Sequence, residues 1–422
     1  MTLPKTLSYD LAPDPAVVFF CLVPAPLLGA GAGIWLAFAP AQGFPERFSG
    51  LTLALVHWMM LAVALPVMLG ALMQLLPVVA AVRLRAPRII RIMLAPLCWL
   101  TAASLIAGFS GMTEHTQSAF ALAAVSGSVL LFVAAFVFFA ALRSVDVVDN
   151  TTLTLRYIPL ALCVVLFAGV LMAAVFGNLA LPALSVGWLL NVHVGVASVA
   201  WLAALLAGIA STTVPMFWQT PRPNHWFQKL FPASFWLTSV LLLIPVSQTF
   251  ALLCMSIAVI VCAGWSLLAL LQAKRRNDPG YLLWSFACAG WITGAMITFA
   301  LHCDWLTDSN WQWLAGVLVL VGGVWLPVNA MLVKIIPFLV FLHLRRRLPA
   351  RSKVPPMQML LPVRQARWQA KAQIVCLLLL LAIPLQTGLL RVAAGIGFAF
   401  TQIWLGALLL RVLWKFRVLQ KT

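Results

Sequence analysis

Two histidines, His57 and His193, lie inside long apolar stretches, where an ionisable side chain is a functional candidate. A neutral imidazole binds haem iron, copper or zinc well, and burial in a bilayer keeps the ring unprotonated. Both lie about eight to ten residues inside their stretches, roughly 12–15 Å deep at the helical rise per residue. The alternative is that each ring only hydrogen-bonds a neighbouring serine, threonine or carbonyl group. Their matching depth favours metal or cofactor ligands.

Three further side chains could complete such a site. Lys334 is expected either to extend to the lipid headgroups or to pair with an anion such as a cofactor propionate. Gln74 is expected to make a hydrogen bond between helices, and we count it with Lys334 among the cofactor-binding candidates. The thioether of Met216 suits Cu(I), which makes it a metal candidate, although membrane methionines usually serve packing. No catalytic residue is identified.

The composition shows which solvent surrounds these residues. Of 422 residues, 64% are hydrophobic and only 9% are charged, and the mean hydropathy is +1.05. A water-soluble domain carries about 25% charged residues, so we predict an all-α polytopic membrane protein. The net charge of +18 comes mainly from basic residues in short loops, where they contact anionic lipid headgroups rather than nucleic acid. The eight cysteines have no paired spacing, which argues against a disulfide framework.

Apolar stretches of about 20 residues divide the chain into twelve predicted transmembrane helices. The second, sixth and tenth are longer than a bilayer requires and contain prolines, which predicts tilting or kinking. The predicted spans are 16–38, 49–81, 91–110, 118–142, 156–176, 184–218, 228–246, 250–272, 281–301, 311–343, 369–389 and 392–413.

The loops that follow even-numbered spans carry most of the loop Lys and Arg, with eight of them between Arg345 and Lys371. The alternate loops are neutral or acidic. The positive-inside rule therefore predicts that both termini lie in the cytoplasm, for a protein of the bacterial inner membrane.

The second and sixth spans share a spacing that predicts an internal repeat. Gly70 and Pro77 are seven residues apart, and so are Gly208 and Pro215. The two stretches can therefore be aligned with each other. Pro337 of the tenth span follows Pro215 at a similar distance in the sequence. We predict one membrane domain, 1–422, built from three four-helix units, 16–142, 156–272 and 281–413. Chance alignment is the alternative, because Pro and Gly are frequent in membrane helices.

This pseudo-threefold arrangement, with a histidine high in the second helix, resembles subunit I of the haem-copper oxidase superfamily. The sequences GALMQLLPV (70–78), HVGVASVAWLAALLAGIASTTVPMF (193–217) and KIIPFLVFLH (334–343) are similar to its divergent NnrS-like branch. The resemblance implies a b-type haem, with copper in the NnrS-like case, and a role in nitric-oxide, redox or metal stress. By resemblance, His57 matches the low-spin haem ligand, whereas His193 matches only the helix.

The sequence lacks several metal-ligand residues of that superfamily. The seventh and tenth spans contain no histidine in the positions of its ligands, and His193 is not followed by the Pro-Glu of the copper-binding helix. The resemblance therefore does not extend to a complete terminal oxidase or nitric-oxide reductase. The competing hypotheses are a copper or small-solute transporter and an assembly partner of a respiratory complex.

Overall fold

The computed structural model describes residues 8–111, 115–179, 185–347 and 355–419. Arg351 and Lys353 of the predicted basic loop lie outside these ranges. Every regular element within them is helical, which confirms the all-α prediction.

Eleven helices of the described chain are long and apolar enough to cross a bilayer, so the chain is a multi-pass membrane protein. We number them in chain order, together with one shorter helix, α7. The helices are α1 Pro15–Phe38, α2 Gly50–Ala80, α3 Arg88–Ser110, α4 Thr116–Ser144, α5 Asn150–Phe176, α6 Val186–Trp218, α7 His225–Leu241, α8 Pro245–Leu271, α9 Pro279–His302, α10 Ser309–Arg345, α11 Val363–Leu385 and α12 Thr387–Leu419.

The predicted span 228–246 is wrong at its end. α7 stops at Leu241 after 17 residues, and a 3₁₀ turn at Pro245–Ser247 leads into α8. Pro245 forces this ending, because proline disfavours helical geometry in the residue before it, and Ile244 is extended. A helix of this length measures about 26 Å, close to the hydrocarbon thickness of about 30 Å. The count of twelve crossings stays a prediction.

The first, fifth and ninth helices begin with the same cap. Asp14 Oδ1 accepts a hydrogen bond from Ala16 N at 2.9 Å, and Asp149 Oδ1 accepts one from Thr152 N at 2.8 Å. Asp278 caps α9 in the same manner. A carboxylate there satisfies a backbone N–H that has no partner within the helix, and it complements the positive end of the helix dipole.

Helices α2, α6 and α10 each contain a π-helical segment after eight to ten residues of α-helix. The segments are Trp58–Ala64, Val196–Ala203 and Val317–Trp325. Leu65 N bonds to Met60 O and Leu326 N bonds to Val321 O, five residues earlier in both cases. Such segments are rare and occur frequently at functional sites.

The chain divides into two compact units. The first comprises Met1–Cys21, Met68–Phe217 and Pro221–Cys262, and the second comprises Leu22–Val67, Trp218–Thr220 and Ala263–Thr422. The division passes through α1, α2 and α8, so it does not follow the predicted four-helix units. One domain with three repeats stays a prediction.

Small residues let the helices within each unit approach closely. In the first unit, a Cβ atom on Gly177 would lie 2.7 Å from Ala121 N, where the end of α5 meets α4. In the second unit, a Cβ atom on Gly33 would lie 2.6 Å from Gly395 O, where α1 meets α12. Close backbone approach at small residues stabilises helix pairs in lipid through dispersion and packing.

Candidate functional site

The imidazole of His57 is held in one tautomer. Its Nδ1 lies 2.8 Å from Leu53 O, one turn earlier in α2. A carbonyl oxygen only accepts hydrogen bonds, so Nδ1 carries the proton and Nε2 carries the lone pair. Histidines that bind metals through Nε2 use this arrangement, because the Nδ1 hydrogen bond orients the ring and raises its basicity.

His57 occupies the last residue of α-helix before the π-helical segment, and its neighbour Trp58 anchors that turn to α1. Trp58 Nε1 donates to Leu28 O at 2.9 Å. A Cβ atom on Gly31 would lie 2.9 Å from the Trp58 ring, and the Trp35 ring centroid is 5.8 Å away. The height and rotation of His57 are therefore set by contacts between α1 and α2 in the second unit.

The packing of α2 changes at the depth of His57. Every residue from Leu55 to Leu61 is half-buried, whereas Ala62 to Gly70 are all buried. Seven consecutive residues cover every side of a helix. The helix is thus less completely covered on every side at His57 than it is one turn later.

His193 is held in the same tautomer as His57, but through a hydrogen bond to a different helix. Its Nδ1 lies 3.1 Å from Val165 O of α5, so the proton is again on Nδ1. The ring lies against α5, since a Cβ atom on Gly169 would be 3.1 Å from its Cε1. Two residues earlier, Asn191 Nδ2 donates to Gln248 Oε1 of α8 at 2.9 Å. This half of α6 is fixed to α5 and α8 within the first unit.

The two histidines differ in their position relative to the π-helical segments of their helices. The π-helical segment of α2 begins directly after His57, at Trp58, whereas that of α6 begins at Val196, two positions later relative to His193. Two residues turn a helix by about 200°, so the two side chains leave their helices in different directions relative to the start of the π-helical segment. His57 bonds its own helix and belongs to the second unit, whereas His193 bonds a neighbouring helix and belongs to the first.

Met216 and Gln74 lie far from the histidine of their own helix. Met216 is exposed and follows His193 by more than six turns of continuous helix, roughly 35 Å. Gln74 is buried and follows His57 by almost five turns, roughly 25 Å. Within the described chain, the Oε1 atom of Gln74 accepts no hydrogen bond. Neither side chain can share a metal ion with that histidine.

Lys334 pairs with an anion that the chain itself supplies. Its Nζ forms an ion pair with Asp278 Oδ2, at the start of α9 in the second unit. Asp278 Oδ1 also accepts from Gly280 N at 2.9 Å and from Trp218 Nε1 at 3.3 Å. Asp278 could have been identified from the sequence, because Asp followed by Pro at the start of an apolar span is a helix-cap signature.

Asn329 is a further candidate functional residue, which the sequence did not lead us to expect. It lies in α10, four residues beyond the π-helical segment, and it is fully buried. Neither its Oδ1 nor its Nδ2 has a hydrogen-bond partner in the described part of the chain. A polar side chain inside an apolar span was the signal that could have identified it.

Among the residues that the structure describes, no three His, Cys, Asp or Glu side chains come together as a metal-binding group. A scan against protein-family models and a search of curated proteins both found no match to this chain.

Proposed function

We propose that this chain is an integral membrane haem-binding protein in which Nε2 of His57 is an axial ligand of a b-type haem. The observation that carries the proposal is the hydrogen bond from Nδ1 to Leu53 O, which leaves the lone pair on Nε2. A haem iron takes four nitrogen ligands from its porphyrin, so one histidine is sufficient on the protein side.

The chemistry that a bound haem supplies is electron transfer or the binding of a small gas. The residues of this chain orient the ligand: Leu53 O fixes the tautomer, and Trp58 fixes the helix against α1. Of the two roles expected for His193, a second ligand or part of a copper or gas-binding site, we propose the copper or gas-binding site, because its Nδ1 also bonds a carbonyl oxygen and leaves the lone pair on Nε2. The role we propose is the handling of redox, nitric-oxide or metal stress rather than oxygen reduction.

The scaffold that we propose is the twelve-helix, three-by-four arrangement of haem-copper oxidase subunit I, with α7 as the seventh crossing. Three landmarks that recur along the chain support it. Aspartate caps begin the first, fifth and ninth helices, and Asp308 caps the tenth as well. π-Helical segments interrupt the second, sixth and tenth. Each segment ends between three and four helical turns before a proline of its helix, namely Pro77, Pro215 and Pro337.

Optical spectra and metal analysis of the detergent-purified protein test the haem proposal. The wild type is expected to show a Soret band and reduced b-type bands, and His57→Ala to lose them while it remains folded by circular dichroism. His302→Ala is the matched control, because its Nδ1 also bonds the carbonyl of the residue one turn earlier, Thr298, at 2.7 Å. That variant is expected to keep its haem, since His302 ends α9.

Two results would contradict the proposal. A wild-type protein purified folded and without haem from cells supplied with haem would remove its basis. A haem spectrum unchanged in His57→Ala would show that another residue is the ligand. Bound copper without haem, lost in His57→Ala, would favour the transporter or copper-handling hypothesis instead.

A further inference from the structure

Two buried polar atoms of the first unit have no hydrogen-bond partner in the described part of the chain. They are Oδ1 of Asn150, the first residue of α5, and Nε1 of Trp236 in α7. Buried polar groups are almost always paired with the protein or with ordered water, because an unpaired group costs free energy. Each of these two atoms therefore needs a partner from outside the described chain.

Both side chains line one cavity between α5, α6 and α7, and all of its lining residues belong to the first unit. We call it the α5–α7 cavity, and its walls include Asn150, Thr154, Ala204, Gly208, Phe235 and Trp236. It offers a volume of about 10 Å³ to the centre of a water-sized molecule, and a single water needs about this much room. The ligand that fits this cavity therefore has about the size of water.

Contacts on both sides of the cavity fix the positions of the two side chains. Thr151, the residue after Asn150, donates from its Oγ1 to Gly208 O of α6 at 2.7 Å. The ring of Trp236 packs edge-on against Tyr157 of α5, with 6.2 Å between the ring centroids. The start of α5 is thus bonded to α6, and α7 is held against α5 by an aromatic pair.

The two unpaired atoms restrict the chemistry of the ligand. An indole N–H only donates a hydrogen bond, and an amide carbonyl oxygen only accepts one. The amide of Asn150 can turn its oxygen toward the cavity, because its terminal torsion is broad. A ligand that bonds to both atoms must accept one hydrogen bond and donate another, which a hydroxyl group does and a metal cation does not.

Other buried amides of the chain lack such space. Gln369, Gln402 and Asn329 also have amide atoms without a partner among the described residues. All three are 0% exposed, so no water-sized molecule touches them, whereas Asn150 is 8% exposed and lines a cavity. An ordered water is therefore expected beside Asn150 and not beside the other three.

We infer that the α5–α7 cavity binds one water molecule, which accepts a hydrogen bond from Trp236 Nε1 and donates one to Oδ1 of Asn150. The hydroxyl group of Thr154, which also lines the cavity, is a third polar partner. Buried waters make about three hydrogen bonds to groups that otherwise lack partners. The water links the start of α5 to α7, and the inference is independent of the proposed haem.

Replacing Asn150 by Leu, which has nearly the same shape, tests the inference through stability. If the amide bonds a water, Asn150→Leu leaves that water and Trp236 Nε1 with one partner fewer. The midpoint of unfolding in dodecyl sulfate is then expected to fall. If the amide bonds nothing, the same change removes an unpaired polar atom and keeps or raises the midpoint. That result would overturn the inference.

Asn329→Leu is the matched control, because it makes the same change at a buried, unpaired amide that no water touches. Its midpoint is expected to stay unchanged or to rise. Falls of equal size in Asn329→Leu and Asn150→Leu would show that the loss does not depend on the cavity, and they would count against the water.

Trp236→Phe keeps an aromatic ring and removes the donor Nε1. The structure shows no direct hydrogen bond between this side chain and that of Asn150, so an energetic coupling between them requires a bridging group. The variant that combines Asn150→Leu with Trp236→Phe is expected to lower the midpoint by less than the two single changes added together. Additive losses would contradict a shared water.

Cryo-electron microscopy of the full chain in lipid nanodiscs locates the ligand directly. One compact peak within hydrogen-bond distance of both atoms is expected in the wild type, and its loss is expected in Asn150→Leu. An empty cavity in the wild type would overturn the inference. Density that continues from the cavity into the bilayer would also overturn it, because the hydroxyl group would then belong to a lipid.

Discussion

Replacing Asp278 by Asn tests the ion pair that joins the start of α9 to α10. Asn keeps the helix cap, because its carbonyl oxygen can accept the hydrogen bond from Gly280 N, so the substitution removes only the charge. The side chains of Lys334 and Asp278 are 25% and 21% exposed, so solvent screens the pair in part. Leaving Lys334 without its counter-ion should therefore cost about 1–3 kcal/mol, between the values for surface and fully buried pairs.

The free energy of unfolding can be measured by titration with dodecyl sulfate in mixed micelles, followed by circular dichroism. Asp308→Asn is the matched control, because Asp308 caps α10 through Asn310 N at 2.8 Å and is exposed. This change should cost less than about 0.5 kcal/mol. Asp278→Asn combined with Lys334→Met should cost less than the two single changes added together, since neither partner is then left charged alone. Equal costs for Asp278→Asn and Asp308→Asn would refute the argument that the ion pair stabilises the fold.

Two further predictions concern the His57 site and the topology. Gly31→Val should displace Trp58 and cost about 1–3 kcal/mol by overpacking, with loss of bound haem, whereas Gly388→Val, where a Cβ atom meets open space, should change neither. Thermal unfolding and the Soret absorbance measure both effects, and equal behaviour of the two variants would contradict the anchoring role of Trp58. Alkaline phosphatase fused to the C-terminus should be inactive, and fused between α9 and α10 it should be active, because its disulfides form only in the periplasm. The opposite pattern would reverse the predicted orientation.

Hydrophobicity was sufficient to predict most of the helices. The second predicted span, 49–81, corresponds to Gly50–Ala80, and the ninth, 281–301, corresponds to Pro279–His302. Such agreement follows from the bilayer, which requires every spanning backbone group to bond within its own helix. The prediction was wrong where hydrophobicity continues past a local backbone signal. Apolar residues continue beyond Leu241, but Pro245 ends the helical geometry there.

The tautomers of the two histidines could not be predicted. Sequence placed His57 and His193 at a similar depth, but the acceptor of each Nδ1 proton depends on the rotation of the ring about its own helix. His57 bonds a carbonyl of its own helix, α2, whereas His193 bonds a carbonyl of α5.

From the sequence it follows that this protein is a helical membrane protein, and that His57, His193, Gln74 and Lys334 lie within its helices. Those properties depend on composition along the chain, since lipid excludes charge and unpaired backbone groups. Only the tertiary structure decided which side chains meet. Lys334 was expected to reach the headgroups or to pair with an anion. That the anion is Asp278 depends on how α9 and α10 pack, because the two residues are distant in the chain.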